Sequence, residues 1–251
     1  MKKIFSLVSV LVLAILLNPA YASEKIRDGE SIEGHVILEL VVTAEGKVGD
    51  VKIMKSVPAG LFDEAALEAA RELRFKPPLE KGKPVESVIS KTLGFKMSAA
   101  EFEASKAGAR GIRHLRNGEF ENALLCFNDA IRMAPGKGQY NNLKGQVYFE
   151  LKAYEKALEE YGRAIEKEPG MADAYFDRGE AFRKLGKYGE SIEDFTKVVE
   201  LDADYLQAYN SRAISYNRLK DNRNMCADLK KACELGDCRG INAARKAGGC
   251  N

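Results

Sequence analysis

Tryptophan is absent from this 251-residue chain, and histidine occurs only twice, as His35 and His114. Neither histidine has Cys, His, Asp or Glu neighbours at the spacing of a metal site. No Ser/His/Asp or Cys/His arrangement can be assembled, and no GxxxxGK[ST] loop is present to cradle a phosphate. The adjacent acids Asp63 and Glu64 open a helical pattern, where carboxylates favour the macrodipole, so they do not argue for a catalytic dyad. The expectation is a non-enzymatic protein with no catalytic residue, no metal and no cofactor. A charge surplus is lacking as well: 39 Lys+Arg stand against 37 Asp+Glu, a formal +2. Loss of Lys2 and Lys3 with a cleaved leader would bring this to 37 against 37. Nucleic acid is therefore not an expected partner, because such binding needs a basic surplus.

The N-terminus carries the only long apolar run. Lys2 and Lys3 precede an apolar stretch from Ile4 to Leu17, Asn18-Pro19 breaks it, and Ala20-Tyr21-Ala22 offers small residues for cleavage. Residues 1–22 thus read as a secretory signal peptide, short for a bilayer span. The alternative is an uncleaved inner-membrane anchor facing the periplasm. No cysteine lies near the cleavage site, so a lipid anchor is not expected.

Residues 23–33 are polar and read as a loose segment. From 34 to 97 the pattern is β-rich. Val36, Leu38, Leu40 and Val42 alternate with polar residues, Glu45-Gly46-Lys47 forms a turn, and Val51 and Ile53 alternate in a second strand. Phe62, Ala66, Ala69 and Leu73 recur at helical spacing, predicting a helix over about 61–73. Pro77, Pro78, Gly82 and Pro84 predict a loop. Val85, Ile89, Leu93, Phe95 and Met97 mark a third strand, with Ser87 and Lys91 on its inward face. Gly34-His35-Val36, the turn through Val48, Phe62 to Ala66, Leu73-Arg74-Phe75-Lys76-Pro77 and Gly82-Lys83-Pro84-Val85 together resemble the C-terminal domain of the TonB family. The resemblance implies a small three-stranded antiparallel sheet with one helix. It also implies that an extended receptor segment can add to the edge of the last strand, about 85–97. Energy-transducing members carry a membrane helix and a long Pro-rich spacer. Here about ten residues separate the leader from the domain, a reach of about 35 Å.

The rest of the chain repeats itself every 34 residues. A small position holds Gly111, Gly145, Gly179 and Ala213, and three residues on stand His114, Tyr148, Phe182 and Tyr216. Twelve on come Ala123, Ala157, Ser191 and Met225. Sixteen on come Phe127, Tyr161, Phe195 and Leu229, and nineteen on come Ala130, Ala164, Val198 and Ala232. Small residues let two helices of a hairpin approach, and rings fill the space beside them. One such hairpin cannot bury its own apolar face, so neighbours stack. This pattern resembles the tetratricopeptide repeat (TPR) family. It divides 98–239 into an array of four repeats, 104–137, 138–171, 172–205 and 206–239, with a C-terminal cap and tail at 240–251. The position before the small residue departs from the family's usual Leu, being Arg110, Lys144, Arg178 and Arg212. The fold expected is α+β: a TonB C-terminal-like sheet domain at 34–97, then an all-α TPR solenoid with a capping helix.

In TPR proteins the first helices of successive repeats line a concave face that holds peptides. Carried over, this places Gln139, Asn142, Gln146, Asp173, Phe176, Glu180, Arg183, Gln207, Asn210 and Asn217 there, where amides can serve an extended backbone. Gly108, Ile112 and Leu143 stand where part of the family's carboxylate clamp would be, so no preference for a free C-terminus is expected.

Five cysteines remain. Cys126 reads as a small, partly buried apolar residue, and the other four all lie beyond residue 225. Export to an oxidising compartment would favour pairing. Cys226 and Cys233 are about 10.5 Å apart along one helix, too far to join. If Arg239 to Lys246 returns antiparallel as a cap, Cys226–Cys250 with Cys233–Cys238 is selected over Cys226–Cys238 with Cys233–Cys250. A four-Cys zinc site lacks CxxC spacing, and reduced thiols are the remaining alternative. The functional expectation is a periplasmic scaffold or adaptor for a peptide or protein. The alternative is a TonB-family component of outer-membrane transport, an energy transducer or accessory, associated with membrane transport proteins.

Overall fold

A computed structural model describes residues 31–57 and 63–250. The leader and anchor readings for 1–22 lie outside the described residues. Among those described, no helix is long and apolar enough to cross a membrane. The chain divides into two compact units: the first ends at Arg110 and takes in Arg132–Ala134, and the second otherwise runs from Gly111 onward.

In the first unit, β1 (Ser31–Val42) lies between β2 (Val48–Val57) and β5 (Ser87–Ser98), both antiparallel to it. The alternation in β1 aims Val36, Leu38, Leu40 and Val42 at one face, where all four are buried. Helix α1 (Asp63–Glu72) lays Ala66 and Ala70 on that face, joined by Met97 and Phe102. Gly46 turns the first hairpin with φ +78°, and a side chain there would run into the Phe75 carbonyl, while the Phe75 N–H donates to Gly46 O at 2.9 Å.

Three details differ from the sequence reading. The strand begins at Ser31 rather than Gly34, because Ser31 to Glu33 pair in register with Ser98 to Lys96. The expected loop contains a small ribbon, β3 (Leu79–Glu80) and β4 (Lys83–Pro84), closed by Lys81 and Gly82 at positive φ. Lys91 keeps the inward phase of β5 opposite Leu38 yet is exposed, unlike Ile89, Leu93 and Phe95 around it.

The second unit is a run of helical hairpins. The first helices are α2 (Ala99–Arg116), α4 (Gly138–Glu150), α6 (Ala172–Lys184) and α8 (Leu206–Arg218). Their partners are α3 (Phe120–Met133), α5 (Tyr154–Lys167), α7 (Tyr188–Leu201) and α9 (Asn222–Glu234). The boundary between the two units falls within α2. The repeating ring packs onto the repeating small residue. A Cβ added at Gly111, Gly145 or Gly179 would lie 2.6, 2.5 or 2.8 Å from a ring carbon of Phe127, Tyr161 or Phe195. Gly145→Ala should therefore destabilise the protein by about 1–2 kcal/mol, the strain of overpacking exceeding alanine's helix preference. Urea denaturation reads this directly, and a stabilised variant would refute the packing account.

Each hairpin turns on a left-handed residue, Gly118, Lys152, Gly186 and Lys220, again 34 apart. The next N–H closes back on the ring position: Glu119 to His114 O, Ala153 to Tyr148 O, Lys187 to Phe182 O and Asp221 to Tyr216 O, each at 2.9 Å.

The basic residues that replace Leu are built into the hairpins. Three of the four pair with an acid sixteen residues on: Lys144 with Glu160 at 3.0 Å, Arg178 with Asp194 at 2.7 Å and Arg212 with Asp228 at 2.7 Å. The two arginines are bidentate. Sixteen residues after Arg110 stands Cys126, so the first hairpin has no acid at that position.

At the end of the array, α10 (Arg239–Lys246) follows α9, and Ile241 and Cys250 pack with Ala213 and Met225. The structure joins Cys226 to Cys250, with Cα atoms 5.6 Å apart, and Cys233 to Cys238, at 4.0 Å. Cys126 is half-buried and outside both bridges.

Candidate binding face of the repeats

Helical spacing puts Gln139, Asn142 and Gln146 on one face of α4 and Asp173, Phe176, Asp177 and Glu180 on one face of α6. Their side chains meet. Asn142 Nδ2 and Gln146 Nε2 both donate to Asp177 Oδ2, at 3.0 and 2.7 Å. Asp173 Oδ1 accepts from the Tyr205 hydroxyl at 2.9 Å. The Phe176 ring lies 5.2 Å from the Tyr205 ring and 5.6 Å from the Phe195 ring, centroid to centroid. Arg183 grips Glu180 with two N–H groups on its own helix.

On α8, Asn210 donates to Asp237 at 3.2 Å, while Gln207 and Asn217 are exposed and no side-chain hydrogen bond joins them to the others. Gln139 and Asn142 are each only 6% exposed, and among the described residues Gln139 Oε1 and Asn142 Oδ1 have no hydrogen-bond partner. Of the ten residues placed here from sequence, Asn142 and Gln146 are brought onto Asp177, Asp173 and Phe176 onto Tyr205, and Glu180 and Arg183 onto each other. Several amides expected to face a ligand are engaged between repeats instead.

Sequence reasoning missed Asp177 and Tyr205. The signal was present for the first. Asp173 and Asp177 are four apart on one helix, and no Lys or Arg stands three or four residues from Asp177 to compensate. Burial pushes Asp177 up to about 7, opposed by the Gln146 and Asn142 hydrogen bonds and assisted by Asp173 and Glu180. Asp173 is also raised by burial, against the Tyr205 hydrogen bond. A carboxyl with a raised folded-state pKa binds more protons folded than unfolded, so stability falls as pH rises from about 4 to about 7. Asp177→Asn should remove this loss. The variant is expected to melt about 2–5 °C above the parent at pH 8 and close to it at pH 5. Parallel melting curves across that range would refute the titration.

A family model described as Gram-negative bacterial TonB protein C-terminal matches residues 18–97, and tetratricopeptide repeat models match 109–172 and 172–205. The chain joins a TonB C-terminal domain to tetratricopeptide repeats. The TonB match begins inside the segment read as a leader. The TPR matches end at residue 205, and the α8–α9 hairpin beyond them keeps the sixteen-residue ion-pair spacing. Protein TonB of Pseudomonas aeruginosa is 30% identical over 73 residues, 29% of this chain and 21% of that protein. The chain thus spans about a fifth of the length of that relative. Among solved structures, MamA protein superposes with a TM-score of 0.53 at 17% identity, over 59% of this chain and 83% of that one. YrrB, described as a TPR protein with an unusual peptide-binding site, gives 0.49 at 24% identity, over 59% and 78%. The MamA likeness concerns the fold of the repeats alone.

Proposed function

We propose that the protein is a periplasmic adaptor that holds a peptide or protein segment on the face lined by α4, α6 and α8. The observation that carries this reading is the cluster of amides, rings and carboxylates spanning successive repeats, part of it half-buried and open to solvent. The absent clamp at Gly108, Ile112 and Leu143 argues against capture of a free C-terminus. The TonB C-terminal domain supplies a second contact: among the described residues β5 pairs with β1 alone, leaving an edge for β-augmentation. Capture of partners from periplasm by the mature chain tests the adaptor reading. Asn142→Ala with Asn210→Ala should reduce capture while circular dichroism shows a folded chain, and undiminished capture would reject the face.

The TonB match also supports a second reading, a component of outer-membrane transport. Cross-linking to an inner-membrane complex would favour it. Amide exchange across 87–98 would separate the two uses of the sheet: strong protection in the monomer would mean the edge is already covered.

A further inference from the structure

We infer that the α4–α6–α8 face takes a basic segment, with a Lys or Arg side chain of the partner seated between Asp173 and Asp177 beside the Phe176 and Tyr205 rings. This rests on the adaptor reading and specifies its ligand.

Counter-charge is missing at this pair of carboxylates. The three most buried carboxylates elsewhere in the array each hold a cation: Glu160 has Lys144 and Arg163, Asp194 has Arg178 and Asp228 has Arg212. Asp173 and Asp177 have none among the described residues. Their hydrogen-bond donors are neutral: a phenol for one, two amides for the other. Their charged surroundings are acidic. Asp177 feels Asp173 and Glu180 on its own helix, Asp173 feels Asp202 ahead of α8, and Glu150 at the end of α4 acts with Asp177 on Tyr161 of α5. The nearest cations on α6 are engaged: Arg178 reaches Asp194 on α7, and Arg183 is held by Glu180.

Two like charges four apart on a helix are unfavourable, and a partly desolvated pair more so. The chain bears that cost where a ligand can relieve it.

The second observation is independent of charge. Asn142 Oδ1, on the same amide that touches Asp177, and Gln139 Oε1 on the same helix are buried acceptors without a donor among the described residues. The side-chain bonds to Asp177 and Asp173 use Oδ2 of one and Oδ1 of the other, leaving a second oxygen on each. Acceptors outnumber donors here, and an ammonium or guanidinium supplies donors and positive charge together. The rings offer the faces that cations favour. A bound divalent metal fits less well, since no group of three metal-ligating side chains is present among the described residues. The face continues along α8 past Gln207 and Asn210 to Ile214, which is 44% exposed, giving an extended chain further contact.

The test uses the mature chain and two peptides of twelve residues, Lys alternating with Ala and Glu alternating with Ala, amidated and acetylated so that no terminus is charged. Titration calorimetry at low ionic strength should show binding of the Lys peptide only. Its affinity should rise about tenfold from pH 6 to pH 8, with release of up to about one proton. Asp177→Asn and Asp173→Asn should each weaken it about tenfold or more without lowering the melting temperature. Glu190→Gln, on the exposed start of α7, should leave it unchanged. Equal binding of both peptides, no binding of the Lys peptide, or parental affinity in both aspartate variants would overturn the inference. If an uncharged or acidic peptide then shifts amides of α4, α6 and α8, the adaptor reading survives without its basic ligand. If no peptide reaches that face, both fall.

Discussion

Arg212→Ala should destabilise the protein by about 3–5 kcal/mol, among the largest effects of any single substitution in the array. The Arg212 side chain is 13% exposed and that of its partner Asp228 only 7%. Two parallel bonds hold the pair, and a third N–H reaches Thr196 at 2.9 Å. Truncation leaves the Asp228 carboxylate buried without a donor of equal strength, and the cost of that stranded charge exceeds the net worth of the pair. The double variant Arg212→Met with Asp228→Leu should recover most of the loss, because an apolar pair of similar volume serves the same space. Urea denaturation of the parent, the two single variants and the double completes a mutant cycle. A single variant that loses less than about 1 kcal/mol would mean the pair behaves as a surface ion pair does.

Removal of the longer bridge, by Cys226→Ser with Cys250→Ser, should cost about 3 kcal/mol in the chain-entropy account. The bridge spans 24 residues of sequence and ties the last residues back to α9, where Cys250 is packed with Ala213, Met225 and Ile241. Cys233–Cys238 spans five residues and closes a smaller loop, so its loss should cost about 2 kcal/mol. The order of the two effects is the sharper expectation. Denaturation of each double-serine variant measures it. Non-reducing peptide mapping of periplasm-purified protein establishes the pairing: recovery of Cys226 linked to Cys238, or of four alkylated thiols, would remove the premise.

The fold was legible where a period had a physical cause. Alternation in Val36–Val42 follows from the pleat, and Gly145 with Tyr161 follows from helices that touch, so both could be read from residue type and spacing. The left-handed turns were not read, since two of the four positions carry Lys152 and Lys220, whose side chains give no sign of positive φ. The row of basic residues before the small position was visible as a departure from the family, but its acids lie sixteen residues away. That separation crosses a hairpin, and no single-helix spacing rule reaches so far.

The binding face was half legible. Which residues share a helix face follows from 3.6 residues per turn. Which of them face a neighbour depends on how far one hairpin is rotated against the next, and this is what places Asn142 and Gln146 against Asp177 rather than in solvent. The strand start at Ser31 escaped notice for a similar reason: Ser-Ile-Glu is strand there because Lys96–Ser98 offers a partner, not because of its own preference.

The sixteen-residue ion pairs also bear on how such an array can grow or shrink. Each pair is closed within one hairpin: Lys144 and Glu160 fall inside 138–171, Arg178 and Asp194 inside 172–205. A hairpin copied in tandem therefore brings its own counter-ion, and a hairpin deleted takes it away. Neither event breaks one of these ion pairs at the new seam. The amide-to-Asp177 bonds behave in the opposite way, since donor and acceptor sit in different hairpins. Duplicating residues 172–205 would keep an Arg178–Asp194 pair closed within each copy but would leave the second copy of Asp177 facing the first copy of α6, which has no Asn142 or Gln146. Gain of repeats thus keeps every sixteen-residue ion pair whole, while the amide donors that hold Asp177 stay unique to one place along the array.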